Sequence, residues 1–292
     1  MSSEKKSDLG PRLVTAVVAL PILLGIILLS PAWGFFALIA GAGAISAWEY
    51  ATITNGDGPA QAPWLVAALT LVTMSVMYFA PTHGMEAMAG SAITLFIFYL
   101  FKYGEQSHAA ARMGSAIAAI VHGGLLLVFL AKTREIAAGA GPLWIIIILG
   151  ATWGSDAGAY FAGKKFGRRK LYPAVSPNKT IEGALGSVAS GFLITVAFGL
   201  LFTLVGDGVS WELAGQKIQL TWKPMQWWHF FVLAIPANVL GQLGDLAESL
   251  IKRAHGVKDS GTIIYGHGGM LDRIDALIFV SPWYFMFVAY IL

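Results

Sequence analysis

Nine stretches of this chain stay apolar for roughly the 20 residues a helix needs to cross a bilayer. They fall near 13–30, 33–53, 64–80, 86–101, 113–131, 143–163, 181–205, 228–251 and 272–291. A segment inside lipid must satisfy its own backbone donors and acceptors, and a long continuous apolar run does so as a helix. The expected fold class is therefore all-α, a polytopic integral membrane protein with about nine transmembrane helices. Composition agrees. Of 292 residues, 57% are hydrophobic and 12% charged, where soluble domains carry about 25% charged residues. Pro31, Pro63, Pro81 and Pro142 punctuate the connections. Pro21, Pro236 and Pro282 lie inside spans, where neighbouring helices can satisfy the freed backbone groups. The absence of cysteine excludes disulfides, thiolate catalysis and cysteine–zinc sites. The first ten residues are polar, and the apolar run after them has no small-residue cleavage site followed by a soluble domain, so it reads as a retained first helix.

Nine spans put the termini on opposite sides, and the cations then separate. Of the 19 Lys and Arg, 15 fall on the N-terminal side and four (Lys132, Arg134, Lys217 and Lys223) on the other. The positive-inside rule makes the N-terminus cytoplasmic and the C-terminus extracytoplasmic. The acidic residues sort with them. Glu49, Asp156, Asp245, Glu248, Asp272 and Asp275 all lie toward the cytoplasmic ends of their spans. Short carboxylates cannot snorkel as Lys and Arg do, and charges gathered at one depth point to one site.

The richest run is Ser249 to Asp275, SLIKRAHGVKDSGTIIYGHGGMLDRID. It sets charges of both signs around Gly266, Gly268 and Gly269 between two apolar segments. Glycines there let the backbone turn its N–H groups toward an anion. Before it, Gln242, Asp245, Ser249 and Lys252 recur at helical spacing on one face, with Glu248 one residue off it. Asp272 and Asp275 are three apart and share a face of the last span, while Arg273 points elsewhere. Carboxylates from two helices make an oxygen-rich cage of the kind Mg²⁺ takes together with substrate phosphates. Scattered histidines make zinc a poor fit. An Asp–Arg network through Arg253 and Arg273, simply holding two helices together, is the structural alternative.

A second constellation covers Asp156 to Gly183. Gly150, Gly154 and Gly158 form a double small-xxx-small pattern that favours close helix packing. The cluster Lys164, Lys165, Arg168, Arg169 and Lys170 serves topology and attraction to anionic lipid. Ser176-Pro177-Asn178-Lys179-Thr180, with Glu182 beyond, resembles an N-cap arrangement. A helix N-terminus carrying Lys179 and two hydroxyls is also a phosphate site. His122, followed by Gly123 and Gly124, reads as a packed, hydrogen-bonded histidine. The aromatic run Trp222, Trp227, Trp228, His229 and Phe230 reads as an interfacial belt. There is no Walker lysine loop, no internal repeat strong enough to suggest a transporter pseudo-dyad, and no soluble nucleotide domain.

The long run resembles the signature of the phosphatidate cytidylyltransferases. The residues that carry the likeness are Ser249, Ile251, Lys252, Arg253, Lys258, Asp259, Gly261, Ile264, His267, Gly268, Gly269, Met270, Asp272, Arg273, Ile274 and Asp275. Tyr265 stands where the family usually has proline. Asp156–Tyr160, Ser176–Gly183 (with Asn178 where a lysine is common) and Gly244-Asp245-Leu246 with Glu248-Ser249 are also similar to the family. The likeness is specific from about residue 150; the first 130 residues match in span pattern and little else.

The resemblance implies a membrane nucleotidyltransferase that condenses CTP with phosphatidic acid, giving CDP-diacylglycerol and pyrophosphate in phospholipid biosynthesis. It implies Asp245, Asp272, Lys252 and Asp275 as catalytic residues. Substrate binding falls to Ser176, Asn178, Lys179, Thr180, Ser249, Arg253, Lys258, His267, Gly268, Gly269 and Arg273. The metal ligands are Asp245, Asp272, Asp156 and Asp275, for Mg²⁺ or Mn²⁺ with a possible second cation. It further implies a homodimer among membrane lipids, in a bacterial inner membrane, with the active site facing the cytoplasm and no nucleic acid partner. Residues 1–131 make the first five spans, and 132–292 make a catalytic region with cytoplasmic loops 164–180 and 252–271. A CTP-dependent polyisoprenoid-alcohol kinase or another lipid cytidylyltransferase shares late acidic motifs. A transporter of phosphorylated solutes would set its charges nearer the midplane, in two related halves.

Overall fold

A computed structural model of the chain describes residues 9–103, 108–137, 139–205, 210–213, 216–264 and 268–292. The helices are α1 (Leu9–Leu29), α2 (Ala32–Asn55), α3 (Ala62–Phe79), α4 (Gly84–Tyr103), α5 (Ala109–Gly123), α6 (Val128–Ile136), α7 (Gly141–Phe166), α8 (Ile181–Val205), α9 (Trp227–Ala254) and α10 (Leu271–Tyr290). Every expected apolar segment is helical. The protein is an all-α polytopic membrane protein, and among the described residues seven helices are long and apolar enough to cross a bilayer, α5 and α6 counting as one. The remaining two, α1 and α10, stand where the sequence expects the first and last spans. In α10 the charged residues of the first turn shorten the purely apolar part; the apolar stretch of α1 runs through Val17–Leu29 among the described residues.

The fifth segment is broken, and glycine explains where. A Cβ on Gly123 would lie 2.5 Å from the Ala47 Cα, and one on Gly124 would lie 3.1 Å from the Gly43 carbonyl oxygen. The backbones of α2 and α5 cross at that point. The chain answers with a short 3₁₀ turn, Leu125–Leu127, before α6 resumes. His122, just before the crossing, packs between the rings of Tyr50 and Phe279 at 5.6 and 5.5 Å. Its Nε2 has no hydrogen-bond partner among the described residues. The packed reading holds and the hydrogen-bonded one does not.

Two antiparallel hairpins interrupt the helices: β1 (Lys170–Tyr172) with β2 (Ser176–Thr180), and β3 (Ser210–Leu213) with β4 (Gln216–Gln219). Both are polar and short, so periodicity does not reveal them. Trp222, beyond the second, corrects the belt reading. It is buried against Trp144 and Phe202 and donates its indole N–H to Thr203 Oγ1 at 3.2 Å. Trp227 is 76% exposed, as a belt residue should be.

Helices α7 and α8 make the most extensive helix pair. The three glycines of α7 are the cause: Gly150 faces Phe198, Gly154 faces Ile194 and Gly158 faces Ser190 on α8. A Cβ at Gly158 would come within 2.8 Å of the Gly186 carbonyl oxygen, which is backbone and cannot swing aside. Gly158→Leu is therefore expected to cost about 1–3 kcal/mol of stability through overpacking, visible as a lower thermal transition of the detergent-purified protein. An unchanged transition would mean that the two helices can spread freely. Against this pair lie α9 and α10, and α10 also packs on α6 and α2. Its Ile278, Tyr284 and Phe287 are buried in the core.

Candidate active site

Helix α7, strand β2, and helices α8 and α9 enclose a cleft of about 530 Å³. Asp156, Asn178, Lys179, Thr180, Gln242 and Asp245 all line it. Lys179 is delivered by local chemistry. The hairpin pairs Lys170 with Thr180 and Tyr172 with Ser176. Thr180 then caps α8, its Oγ1 accepting the Gly183 N–H at 3.1 Å. Glu182 does not complete a capping box. Its carboxylate accepts the N–H groups of Arg168 at 3.0 Å and Arg169 at 3.2 Å, tying the basic loop to the first turn of α8. Lys179 thus sits at the end of a strand, one residue before the helix cap. Its ammonium meets Asp245 Oδ2 at 2.5 Å across the cleft.

A second cluster lies along α9 and α10. Lys252 Nζ is 2.6 Å from Glu248 Oε2 and 2.6 Å from Asp272 Oδ1. The side chains of Glu248, Asp272 and Lys252 are only 1%, 7% and 11% exposed. Asp272 Oδ2 accepts two backbone N–H groups, from Ser260 and Gly269, each at 2.9 Å. Gly268 has φ +80°, a left-handed value that a side chain strains to adopt, and a Cβ there would also press on Asp272. Asp275 bridges the clusters, lying within electrostatic reach of Asp245, Asp156 and Glu248. The result is a strip of five carboxylates (Asp156, Asp245, Asp275, Glu248 and Asp272) with Lys179 near one end and Lys252 at the other.

The remaining sequence candidates distribute around this strip. Ser249 Oγ donates to Asp245 Oδ1 at a long 3.4 Å. Arg273 is exposed and within electrostatic reach of Asp156. Gly268 and Gly269 form the turn over Asp272. Ser176 lies on β2 opposite Tyr172 and outside the cleft lining. Arg253 and Lys258 are exposed, the Arg253 guanidinium donating to the Val257 carbonyl at 3.1 Å. His267 and Tyr265 lie outside the described residues.

Two carboxylates carry more than the sequence reading gave them. Glu248 stands one residue off the Asp245 face, yet its spacing to Lys252, i to i+4, is the signal that pairs them. Glu49 of α2 is fully buried against the loop before α10. No local pattern announces that contact, since its partners lie more than 200 residues away.

A polytopic membrane protein whose cleft combines lysine, hydroxyl, amide and carboxylate groups at one end of its helices is built to handle an anionic substrate. The chain belongs to the cytidylyltransferase family, a family of nucleotidyltransferases, which it matches over residues 10–291. It is 29% identical to the phosphatidate cytidylyltransferase of Thermotoga maritima over 276 residues, 94% of each chain. It is 39% identical to the phosphatidate cytidylyltransferase of Bacillus subtilis over 149 residues, 51% of this chain and 48% of that one. To the Haemophilus influenzae enzyme of the same name it is 39% identical over 153 residues, 51% of this chain and 46% of the other. The latter two matches thus span about half of each relative's length.

Proposed function

We propose that this chain condenses CTP with phosphatidic acid, releasing pyrophosphate and leaving CDP-diacylglycerol in the bilayer. The observation that carries the proposal is the cleft itself, where Lys179 of β2 and the carboxylates Asp156 and Asp245 of α7 and α9 converge in a chain of this family. An oxygen of the lipid phosphate attacks the α-phosphorus of CTP. The new P–O bond forms as the bond to the β-phosphate oxygen breaks. A phosphate monoester is already largely dianionic near neutral pH, its second pKa being about 6, so no strong general base is needed. The difficulty is bringing two anions together, and positioning with charge neutralisation provides most of the catalysis. Lys179 and Thr180, at the head of α8, would receive phosphate oxygens. Lys252 and Arg273 would offset the charge of the departing pyrophosphate.

The family's divalent cation fits this donor set. The strip carries five carboxylates against two lysines, and its ligand atoms are all oxygen, the chemistry of Mg²⁺ or Mn²⁺ rather than zinc. As the side chains stand, no three Asp, Glu or His among the described residues converge on a single point. Asp245 and Asp272, with Asp275 and Asp156 beside them, would hold the ion, which polarises phosphorus and shields the phosphate charge. Nine spans, a cytoplasmic N-terminus and an extracytoplasmic C-terminus complete the reading. On this reading the cleft faces the cytoplasm, where CTP is found, from a bacterial inner membrane, and the chain is proposed to act as a homodimer.

The purified protein should release one pyrophosphate per CTP consumed, only with phosphatidate present, and lose that activity in EDTA. CTP-dependent formation of CDP, as a kinase would give, or full turnover after EDTA, would refute the proposal in its reaction or its metal respectively. Lys179→Ala should lower kcat/KM for CTP by about 10–10²-fold, with little effect on folding because its ion pair is partly exposed. An unchanged kcat/KM would leave the segment as a helix cap alone.

A further inference from the structure

Among the described residues, Glu49 is the one carboxylate of the first six helices that reaches the loop between α9 and α10. It is 0% exposed. No Lys, Arg or His pairs with it among the described residues, and hydrogen bonds surround it instead. Oε1 accepts the Met270 N–H at 3.0 Å, and Oε2 accepts the Leu271 N–H at 2.8 Å and the Ser260 hydroxyl at 2.9 Å. The backbone closes around the same carboxylate. A Cβ on Gly261 would lie 2.5 Å from Oε1, and one on Gly269 2.5 Å from Oε2.

These amides are orphan donors at the head of α10. Met270, in the cap position, supplies no side-chain cap. Glu49 therefore does from another helix what a capping side chain does locally, and its charge complements the positive end of the helix dipole. Ser260 passes the contact on. Its hydroxyl donates to Glu49 and accepts the Asp272 N–H at 3.3 Å, while its own N–H donates to Asp272 Oδ2 at 2.9 Å. Asp272 in turn holds Lys252.

We infer that Glu49 is a positioning residue for cytidylyl transfer: it fixes the first turn of α10, and through Ser260 the carboxylate of Asp272, in register with α9. The inference rests on the reading that the α9–α10 carboxylates serve that reaction. Glutamine fills the space of glutamate, so a packing role survives Glu49→Gln. The acceptor role does not, because one of the two facing positions becomes an N–H that meets another donor.

The test uses the full chain in detergent micelles with phosphatidate. Glu49→Gln should lower kcat by about 10²-fold, as a small misplacement of reacting groups does, while KM for CTP stays within about threefold. Amide exchange in the peptide spanning 260–272 should quicken by about tenfold or more, with other helices unchanged. Ser260→Ala, which cuts the link and spares the amide contacts of Glu49, should lower kcat by about tenfold, and it carries the test should Glu49→Gln not fold. Parental kcat in either variant overturns the inference. So does a loss of kcat that only tracks a lower thermal transition and faster exchange throughout the protein. If the parent chain itself releases no pyrophosphate from CTP and phosphatidate, the functional reading has failed. Unchanged exchange at 260–272 in Glu49→Gln would separately overturn the anchor.

Discussion

Asp245→Asn is expected to insert, fold and purify as the parent does, yet to form CDP-diacylglycerol at least about 10²–10³-fold more slowly, the scale set by losing one preorganised electrostatic contact. The two halves of this expectation have separate causes. The Asp245 side chain is 36% exposed and its partner Lys179 is 29% exposed, so their ion pair contributes at most about 1 kcal/mol to folding. Asparagine keeps the size and the acceptor for Ser249. What it removes is a negative charge of the cleft lining, within electrostatic reach of Asp156 and Asp275, where the proposed cation would be held. Asp272→Asn should be comparably inactive. If the two carboxylates act as one unit, the double variant should lose little more than either single one, because such losses are not additive. Near-parental turnover in Asp245→Asn would remove the centre of the proposed mechanism. Additive losses in the double variant would assign the two residues to separate tasks.

The same residues show what sequence makes legible. Apolar length alone gives the helices, because lipid leaves a backbone no other way to satisfy itself. Helix α8 begins and ends where the apolar run does, at Ile181 and Val205. Spacing gives the faces within one helix: Gln242 and Asp245 do line the cleft together. It does not say which neighbour each face meets. One turn farther along α9, Glu248 and Lys252 face Asp272 instead. The β1–β2 hairpin was illegible because a few polar residues carry no period, so Lys179 reads as a loop residue at a helix N-terminus when it lies in a strand, one residue before that strand ends. Glu49 was illegible for a different reason. Its partners lie far along the chain, and the sequence puts it only at the common depth of the other acids, without naming the loop it meets.

The largest effect on stability is expected at Lys252. Among the described residues its ammonium is the single cation within 4 Å of both Glu248 and Asp272, and all three side chains are nearly enclosed. Removing one partner of a buried ionic group leaves the others desolvated and uncompensated, at a cost of about 3–5 kcal/mol. Lys252→Met keeps the length of the side chain and deletes the charge, so its effect is electrostatic rather than a cavity. The Asp272 carboxylate would still hold the amides of Ser260 and Gly269. Glu248 would keep only its side-chain contact with Asp272, since its Oε1 lacks a hydrogen-bond partner among the described residues. The expected result is a markedly lower thermal transition of Lys252→Met in detergent, with much of that loss recovered in Lys252→Met/Glu248→Gln, where one stranded charge has been removed. Activity should return in neither, because the double variant restores the fold without restoring the cation. A Lys252→Met protein as stable as the parent would mean that water reaches the α9–α10 seam. A double variant no more stable than the single one would place the cost at Asp272 rather than Glu248.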